Sequence, residues 1–582
     1  MAIRKKIRIG DLLVENKLIS QVQLEEALAD QKKSGRKLGK ILIDNGYIEE
    51  NRMLEVLSRQ LKIPFIDLEH YKFNADTVKL LPEIQARRFR AITLTRDANG
   101  VLVGMADPTD IFAYDELARI LNDTVRLAVV RESDLLKTID LVYRKTDQIS
   151  GFAEELSDEL AESDIDLADL VSTADVAEAP VVKLLQSQFE DAVQIGASDI
   201  HIEPDENVLR VRQRVDGVLQ EHIMEEKRIA SALVLRLKLM AGLDISERRL
   251  PQDGRFSIKV KEQNIDVRLS TMPVSYGESV VMRLLNQSDG SLDLDSLGMP
   301  AQLLKRFESL IQRPHGMILV TGPTGSGKTT TLYAALKSLN SPEKKIITVE
   351  DPVEYRLPRI NQVQVNTEIG LTFARVLRSA LRQDPDIVLI GEMRDEETSE
   401  IALRAAMTGH MVLSTLHTND AISTVNRLMD MGVKSYLLAS ALHGILAQRL
   451  VRRICASCTQ PSELQVDEEA WLKEYGNETA FNATFKRGVG CAYCNYTGYQ
   501  GRIGVYELLE FDDTLSQSLS EGDSAAFSRQ AGRARGYQPL NMVALKYAIE
   551  GVTTMEEVLR ISADLDIFLD AESEAKPEDI AG

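Results

Sequence analysis

Short, mostly apolar runs recur through the centre of the chain. Met317–Thr321 is the first of them, and Ile346–Val349, Ile387–Ile390 and Met411–Leu416 follow. Such runs are typical of strands that are buried on both faces of a parallel sheet. Residues 330–339 instead carry the apolar spacing of a helix. The alternation of strand and helix patterns predicts an α/β core in this part of the chain.

The first sixty residues contain an internal repeat with a helical pattern. One block covers residues 8–31 and a second covers residues 37–60. A shift of 29 residues pairs Gly10 with Gly39, Leu13 with Leu42, Asn16 with Asn45, Ile19 with Ile48, Leu24 with Met53, Leu28 with Leu57, and Gln31 with Gln60. Each block predicts a short helix, a turn and a longer amphipathic helix. Ser20 and Gln23 form a candidate capping box for the first long helix.

Two further stretches mix strand and helix patterns, and each contains a turn signal. In the first, Ala91–Leu94 and Val101–Met105 flank Asn99-Gly100, which predicts a hairpin. In the second, Asp216-Gly217 lies between apolar residues and predicts a tight strand reversal. Both stretches are therefore predicted to be small α/β modules.

An acidic stretch separates these two modules. Residues 146–182 contain eleven acidic residues and no lysine or arginine. A segment of that composition buries too little apolar area to offset the entropy lost on ordering. We therefore predict a flexible linker here, with a transient helix near Phe152–Leu160. The acidic tail after Asp570 is predicted to be disordered.

Composition narrows the class of protein. The formal net charge of −20 argues against a general nucleic-acid binder. No stretch approaches the roughly 18–20 apolar residues of a membrane span. The basic N-terminus lacks the apolar segment of a secretory signal. These features predict a cytoplasmic protein.

A glycine-rich loop joins the first predicted core strand to the helix that follows it. The loop reads Gly322-Pro323-Thr324-Gly325-Ser326-Gly327-Lys328-Thr329, and Thr330 comes next. Such a loop directs backbone N–H groups and the helix N-terminus at phosphate oxygens. Lys328 can reach the β- and γ-phosphates, and the Thr329 hydroxyl can ligate Mg²⁺. The sequence therefore predicts binding of a nucleoside triphosphate.

The four cysteines form two close pairs, Cys455 with Cys458 and Cys491 with Cys494. Two intervening residues let each pair present both sulfurs to one ion, so the two pairs predict a closed structural Zn²⁺ site. The 32 residues between the pairs exceed the common spacing. Free structural thiols and an iron–sulfur site therefore remain as alternatives.

Polar residues follow the remaining core strands: Glu354 and Glu392 after the second and third, and His417 after the fourth. Taken alone, they could be solvated strand ends or a structural histidine. In this order after the glycine-rich loop, they resemble the secretion ATPases of type II secretion and type IV pilus assembly. That family names these segments the Walker A, Asp box, Walker B and His box. The resemblance covers roughly residues 180–570.

The resemblance implies a role for each matching residue. Lys328 and Thr329 would hold the phosphates of ATP and Mg²⁺. Glu354 would be the general base that positions the attacking water. Glu392 would act on the metal through water, and His417 would contact the γ-phosphate region.

Two arginines outside the core also match family positions. Arg268 and Arg283 correspond to arginines that reach ATP, where they would neutralise charge on the transferred phosphoryl group. Extension-type members of the family carry a tetracysteine metal module, whereas retraction-type members lack it. The cysteine pairs therefore favour a motor that extends a polymer or drives secretion.

The N-terminal repeat resembles the tandem cyclic-di-GMP-binding motif of ATPases for mannose-sensitive haemagglutinin pili. Gly10 and Gly39 would admit phosphates, and Arg8 and Lys37 would pair with phosphate or stack on guanine. The other motif positions are Ile9, Leu13, Leu24, Leu28, Gln31, Leu38, Leu42, Met53, Leu57 and Gln60. Asp107 would close over the ligand, although an ordinary Asp-Pro turn also explains it.

The repeat departs from that motif at two positions. Lys37 replaces the usual arginine, and Lys17 replaces a turn glycine. An ammonium group stacks on guanine less well than a guanidinium. The alternative interpretation is a helical module for protein–protein docking, because leucines at this spacing also build a core.

The patterns and the resemblance together predict a multidomain α/β protein with a RecA-like P-loop core. The predicted segments are the tandem cyclic-di-GMP motifs (1–60), the small α/β part of the N-terminal domain (61–145), the linker (146–179), a PAS-like α/β domain (180–290), the P-loop ATPase (291–450), the four-cysteine zinc module (451–505), a helical subdomain (506–570) and the tail (571–582).

The resemblance implies a cytoplasmic homo-hexameric ATPase that powers type IV pilus extension, most like the mannose-sensitive haemagglutinin type. An inner-membrane platform protein would be its partner, and it would bind no nucleic acid. The alternative within the family is a type II secretion ATPase. A regulatory nucleotide-binding protein and a DNA-translocating ATPase are the alternatives from other classes, and the complete catalytic motifs and the acidic balance count against them.

Overall fold

The computed structural model describes a large part of the chain in several ranges. These are residues 13–14, 18–34, 38, 41–42, 45–68, 71, 73, 75–78, 80–97, 99–142, 146–162, 179–260, 263–286, 293–476 and 478–563. The tail predicted to be disordered lies outside the described residues, as does the stretch 163–178.

The N-terminal repeat contributes two helices, α1 (Gln21–Ser34) and α2 (Glu50–Leu61). The capping box is confirmed: the Ser20 amide donates to Gln23 Oε1 at 2.8 Å, and the Gln23 amide donates to Ser20 Oγ at 3.2 Å. Equivalent apolar positions of the two blocks meet in one small core.

The next module is a three-stranded sheet with helices around it. The strands β1 (Ala91–Asp97), β2 (Gly100–Met105) and β3 (Val125–Val129) pair in that order, antiparallel and then parallel. The predicted hairpin at Asn99-Gly100 is thereby confirmed. The helices are α3 (Ala75–Val78), α4 (Glu83–Phe89), α5 (Ile111–Leu121) and α6 (Glu132–Val142).

The first half of the predicted linker is a helix, α7 (Thr146–Glu162), so the prediction of a flexible segment is wrong there. Ile149, Ala153 and Leu156 are buried against the core of the following module. Their spacing places them on one face of a helix. Overall composition does not reveal such a stripe, because the acidic residues lie between its members.

The second module is a six-stranded antiparallel sheet covered by two helices. The strands β4 (Ala197–Pro204), β5 (Leu209–Val215), β6 (Val218–Met224), β7 (Gln252–Val260), β8 (Gln263–Val274) and β9 (Gly277–Asn286) are ordered β6-β5-β4-β9-β8-β7. The helices are α8 (Pro180–Gln194) and α9 (Ile229–Met240). Asp216 and Gly217 have φ values of +50° and +87° between paired strands, which confirms the predicted tight reversal.

The ATPase core is built on a seven-stranded sheet. Its strands are β10 (Gly316–Thr321), β11 (Ile346–Glu350), β12 (Ile360–Gln364), β13 (Ile387–Ile390), β14 (Met411–Leu416), β15 (Leu442–Ile454) and β18 (Tyr499–Glu510), in the order β12-β11-β13-β14-β10-β15-β18. All neighbours are parallel except β15 and β18. The apolar runs predicted as buried parallel strands form β10, β11, β13 and β14.

Helices cover both faces of this sheet. They are α10 (Ala301–Ile311), α11 (Lys328–Leu339), α12 (Phe373–Ala380), α13 (Glu396–Met407), α14 (Ala421–Asp430) and α15 (Ser435–Ala441). The carboxyl ends of parallel strands meet at one edge of a sheet, which is where α/β folds place ligands. The glycine-rich loop, Glu392 and His417 all follow strands that end at this edge.

The cysteine module is inserted between β15 and β18. It contains β16 (Thr459–Pro461), β17 (Lys486–Gly488), α16 (Val466–Tyr475) and α17 (Glu478–Phe481). The C-terminal helices are α18 (Asp513–Ser520), α19 (Ser524–Ala531), α20 (Leu540–Ile549) and a helical run at 555–563. Because β18 extends the ATPase sheet, the predicted zinc module and helical subdomain share one strand with the ATPase core.

Candidate active site and metal centre

The glycine-rich loop turns sharply between β10 and α11. Gly322, Gly325 and Gly327 have φ values of +146°, +79° and +88°, a region that favours glycine. A Cβ on Gly322 would also lie 2.5 Å from the carbonyl oxygen of Gln448. The loop conformation therefore depends on glycine both for its dihedral angles and for the close approach of β15.

Gln448 on β15 braces this loop, and the sequence analysis missed it. Its Nε2 donates to the Ser326 carbonyl at 2.6 Å, and its Oε1 accepts from the Thr331 hydroxyl at 2.8 Å. The side chain is 2% exposed, so these bonds form in a dry environment. Only the pairing of β15 with β10 brings this residue to the loop, and no local motif marks it.

Lys328 lies at the first position of α11 and faces the loop interior. Its Nζ donates to the carbonyl oxygens of Gly322 and Pro323 at 2.6 and 3.1 Å. Burial lowers the pKa of Lys328 to about 8; nearby Arg449 acts in the same direction, and Glu392 opposes it. The ammonium is thus partly desolvated, which strengthens its attraction for a phosphate.

Lys328, His417 and Glu392 form a continuous polar chain. The Lys328 Nζ lies 3.4 Å from His417 Nδ1, and His417 Nε2 lies 3.5 Å from a Glu392 oxygen. Burial, and then the charge of Lys328, lower the pKa of His417. A neutral imidazole whose Nδ1 faces an ammonium carries its proton on Nε2, towards the carboxylate. Glu392 also pairs with Arg394.

Glu354 lies in the loop after β11 and is held from two directions. Arg268 on β8 donates through Nη2 to Glu354 Oε2 at 2.6 Å. The Glu354 amide lies 3.4 Å from the hydroxyl oxygen of Tyr333, which can accept from it. The structure thus places Arg268 on the predicted general base, and its predicted action on phosphate stays a prediction.

A buried network under this loop contains residues to which the sequence analysis gave no role. Glu350 at the end of β11 is 4% exposed and accepts from the hydroxyls of Tyr333 and Thr348 and from Gln362 Nε2. Burial and the Glu350 charge raise the pKa of Tyr333 far above its ordinary value, so its hydroxyl stays protonated. Tyr333 thereby connects α11 with the loop that carries Glu354.

The six-stranded module and the ATPase core together line one cavity of about 1010 Å³. Lys328, Glu354, Glu392 and His417 line it from the ATPase side, and Arg283 lines it from β9. Arg283 pairs with Asp199 of β4 at 3.1 Å. The cavity wall also carries basic residues that the sequence analysis did not single out, among them Arg452, Arg502 and Arg560.

The four cysteines converge on one point. Their Sγ atoms all lie within 4.8 Å of one another, with individual separations of 3.7 to 3.8 Å for three pairs. Four sulfurs at about 2.3 Å from a tetrahedral Zn²⁺ would be separated by about 3.8 Å. The residues therefore fit a zinc ion, which would be held by Cys455, Cys458, Cys491 and Cys494.

Backbone geometry at the second cysteine pair also suits thiolate. The amides of Cys491 and Gly498 each lie 3.2 Å from Cys494 Sγ. A hydrogen bond from Cys455, together with these amides, lowers the pKa of Cys494 well below its ordinary value. Burial raises the pKa of Cys458, and the neighbouring cysteines act in the same direction.

The described positions of the N-terminal motif form a core rather than an open surface. Leu13 and Leu42 are fully buried, and Leu24 and Met53 nearly so. Gln31, Leu38 and Leu57 are half-buried, whereas Leu28 and Gln60 are exposed. Arg8, Ile9, Gly10, Lys37 and Gly39 lie outside the described residues, so the ligand roles of the motif stay predictions.

Asp107 is engaged in a local turn. Its Oδ1 accepts from the amide and the hydroxyl of Thr109, at 3.2 and 2.5 Å. This is the ordinary arrangement of an aspartate-initiated turn. A contact between Asp107 and a ligand stays a prediction.

Comparison with known proteins agrees with this architecture. Residues 174–560 match the family model of the Type II/IV secretion system protein, and residues 61–149 match that of the MshEN domain. The type IV pilus assembly ATPase PilB of Myxococcus xanthus is 44% identical over 557 residues, covering 95% of this chain and 98% of that protein. The type II secretion system ATPase E of Vibrio cholerae is 42% identical over 501 residues, covering 84% and 97%.

Among solved structures, that of MshE with cdg is 40% identical, with a TM-score of 0.23, and covers 24% of this chain and 99% of that chain. Within the described parts of the chain, no helix combines the length and apolar character needed to cross a bilayer.

A P-loop core that shares its nucleotide cavity with a second, arginine-bearing sheet defines a secretion-type ATPase. The chain belongs to the type II/IV secretion system protein family, whose model matches most of its length. It is an ATP-hydrolysing enzyme.

Proposed function

We propose that this chain is a cytoplasmic homo-hexameric ATPase that powers extension of a type IV pilus of the mannose-sensitive haemagglutinin type. The observation that carries the proposal is the shared cavity, in which Lys328, Glu354, Glu392 and His417 face Arg283 of the other sheet. A pilus assembly ATPase and a type II secretion protein E are both covered over nearly their full length, and the higher identity of the former, 44% against 40%, supports the pilus as cargo.

In the proposed reaction, ATP binds with its phosphates on the glycine-rich loop. Bound Mg²⁺, held by Thr329 and through water by Glu392, would supply positive charge to the phosphate oxygens. Lys328 exchanges its carbonyl partners for phosphate oxygens, and Glu354 accepts a proton from the attacking water. As the water oxygen bonds to the γ-phosphorus, the bond to the β,γ-bridging oxygen breaks, and ADP and phosphate are the products. His417 donates from Nε2 and keeps Glu392 oriented.

The Arg268–Glu354 pair gives this cycle a conformational requirement. The 2.6 Å hydrogen bond from Arg268 occupies a carboxylate oxygen of Glu354 that the attacking water would need. Separation of the six-stranded module from the ATPase core around the cavity would free Glu354 for water and Arg268 for the phosphoryl group. Motion of this kind around a ring would be passed to an inner-membrane platform protein at the cytoplasmic face.

We also propose that cyclic-di-GMP binds the N-terminal repeat and regulates the enzyme. The tandem motif of Arg8-Ile9-Gly10 and Lys37-Leu38-Gly39 supports this assignment, as does the adjoining region that matches the MshEN domain. Two equivalent blocks around a common core suit a ligand with two equivalent halves. The alternative occupant of this surface is a protein partner.

Cargo is tested in cells of the source organism whose own gene for this chain is replaced by a Lys328→Ala version. The proposal expects loss of surface pili with normal export of secreted proteins. Loss of secreted proteins with intact pili would instead assign the chain to type II secretion. Mass measurement of the purified protein with a non-hydrolysable ATP analogue tests the hexamer, and a monomer at all concentrations would contradict it.

A further inference from the structure

A contact across 355 residues of sequence joins the cysteine module to the N-terminal α/β module. The hydroxyl of Tyr493, which lies between Cys491 and Cys494, is hydrogen-bonded to the hydroxyl of Thr138 on α6. Tyr493 is 7% exposed and Thr138 is fully buried. The two side chains therefore meet in an interior contact between modules rather than at an open surface.

An aromatic contact reinforces this hydrogen bond. The ring of Phe73 lies 5.8 Å from that of Tyr493, centroid to centroid, at 54°. Phe73 also packs against the buried cluster that contains the four cysteines. Tyr71 meets Phe73 edge-on at 5.1 Å, which continues the aromatic contact into the N-terminal module. Aromatic pairs of this kind stabilise an interface beyond the area that they bury.

The direction of the hydrogen bond follows from its neighbours. The Thr138 hydroxyl donates its single proton to the Asp134 carbonyl at 2.6 Å. It can therefore only accept from Tyr493, whose hydroxyl is the donor. Removal of the tyrosine hydroxyl leaves a buried oxygen with one partner fewer, which weakens the contact.

The position of Tyr493 depends on the cysteine site. The residue lies inside the second cysteine pair, on a short helical turn (Ala492–Cys494) that directly follows Cys491. A metal bound to all four thiolates ties this turn to Cys455 and Cys458 and fixes where the tyrosine projects. Without that tie, the turn keeps its local backbone hydrogen bonds and the contacts of Tyr493, but it loses its link to Cys455 and Cys458.

We propose that the cysteine module is the docking platform for the N-terminal α/β module of the same chain, and that metal in the four-cysteine site keeps Tyr493 in its docking position. The metal then stabilises the contact between the two modules, in addition to supporting the cysteine module locally. Since Cys455 directly follows β15, the platform is attached to the strand that carries Gln448 at the nucleotide loop. This inference does not depend on the identity of the cargo or on cyclic-di-GMP.

Hydrogen–deuterium exchange of the full chain tests this metal-dependent docking. In Tyr493→Ala, amides of α6 should exchange at least about tenfold faster, while zinc content by elemental analysis stays at the wild-type value. Tyr493→Phe keeps the ring contacts and should accelerate exchange by about 2–10-fold, the range of one hydrogen bond. Tyr496→Ala is the matched control, because Tyr496 lies in the same module but is 68% exposed.

The opposite side of the contact gives an independent measurement. Thr138→Val changes a module without cysteines and should speed exchange in residues 488–500 with zinc retained. Removal of zinc from the wild-type protein should accelerate exchange of the α6 amides as much as Tyr493→Ala does. In the Tyr493→Ala variant, removal of zinc should cause no further acceleration. The proposal is wrong if α6 exchanges alike in Tyr493→Ala and wild type, or if zinc-depleted wild type keeps α6 protected. If Tyr493→Ala itself loses zinc, exchange of residues 488–500 in Thr138→Val shows whether the docking contact exists.

Discussion

Arg268 of the six-stranded sheet donates a 2.6 Å hydrogen bond to Glu354 of the ATPase loop, so the two modules meet at the predicted catalytic base. Both side chains are partly buried, at 21% and 33% exposure. The contact places an arginine from one module beside the predicted general base of the other. We therefore expect hydrolysis to depend on how the two modules are arranged around the nucleotide.

If Glu354 is the general base, its substitution should impair hydrolysis of ATP without impairing binding of ATP. Glu354→Gln preserves shape but removes the proton acceptor, so turnover should fall about 10²–10⁴-fold while ATP affinity stays close to wild type. Lys328→Ala should instead abolish productive ATP binding. Phosphate release and binding of a fluorescent ATP analogue measure the two effects. Turnover of Glu354→Gln near the wild-type rate would remove Glu354 from the mechanism.

Arg268 is expected to contribute to the transition state and not only to restrain Glu354. Arg268→Ala should lower kcat by about 10²–10³-fold with a smaller change in KM, as for other groups that stabilise developing phosphoryl charge. Arg249→Ala is the control, because Arg249 lies in the same module and is 88% exposed. Faster hydrolysis by Arg268→Ala would show that the pair is inhibitory only.

Tyr333 is expected to position the loop that carries Glu354. Tyr333→Phe leaves the buried Glu350 carboxylate with one hydrogen bond fewer, which costs about 1–3 kcal/mol. The variant should unfold at lower denaturant concentration and lose kcat more than ATP affinity. Tyr355→Phe provides the comparison, since that ring packs edge-on at 4.5 Å from Tyr333. Equal behaviour of the two variants would leave Tyr333 without a positioning role.

The sulfur geometry predicts about one Zn²⁺ per chain, because the four thiols make a single closed site. Elemental analysis of purified protein measures this directly. Cys458→Ser should lower the zinc content and destabilise the module between β15 and β18. Protein without zinc but with four thiols that titrate readily in the native state would contradict the assignment.

The repeat predicts a cyclic-di-GMP site that needs both blocks. Arg8→Ala should weaken binding roughly 10–150-fold, the effect of losing a charge-assisted hydrogen bond worth about 1.5–3 kcal/mol. Lys37→Arg should preserve or tighten binding, since guanidinium stacks on guanine better than ammonium. Calorimetry on the full chain without ATP measures both. Absence of binding heat, or equal affinity for GMP, would leave the repeat as a docking module.

Local residue patterns were sufficient to predict the chemistry of the core. Met317–Thr321, the glycine-rich loop and the helix after it are readable from sequence, because a phosphate loop needs glycine at left-handed positions and a helix start beside it. The two cysteine pairs can likewise be recognised from residues that are close in sequence. Their sulfurs meet as predicted, since a tetrahedral ion requires little more than two pairs of closely spaced thiols.

The surroundings of these motifs emerged only from the packing of the folded chain. Gln448 reaches the loop through strand pairing, Arg268 reaches Glu354 across a module boundary, and Tyr493 meets Thr138 355 residues away. The sequence predicted only a transient helix within α7, because its acidic composition concealed the apolar residues that pack on another element and stabilise it. Contacts between distant segments depend on how whole modules pack, and local residue patterns carry no information about that packing.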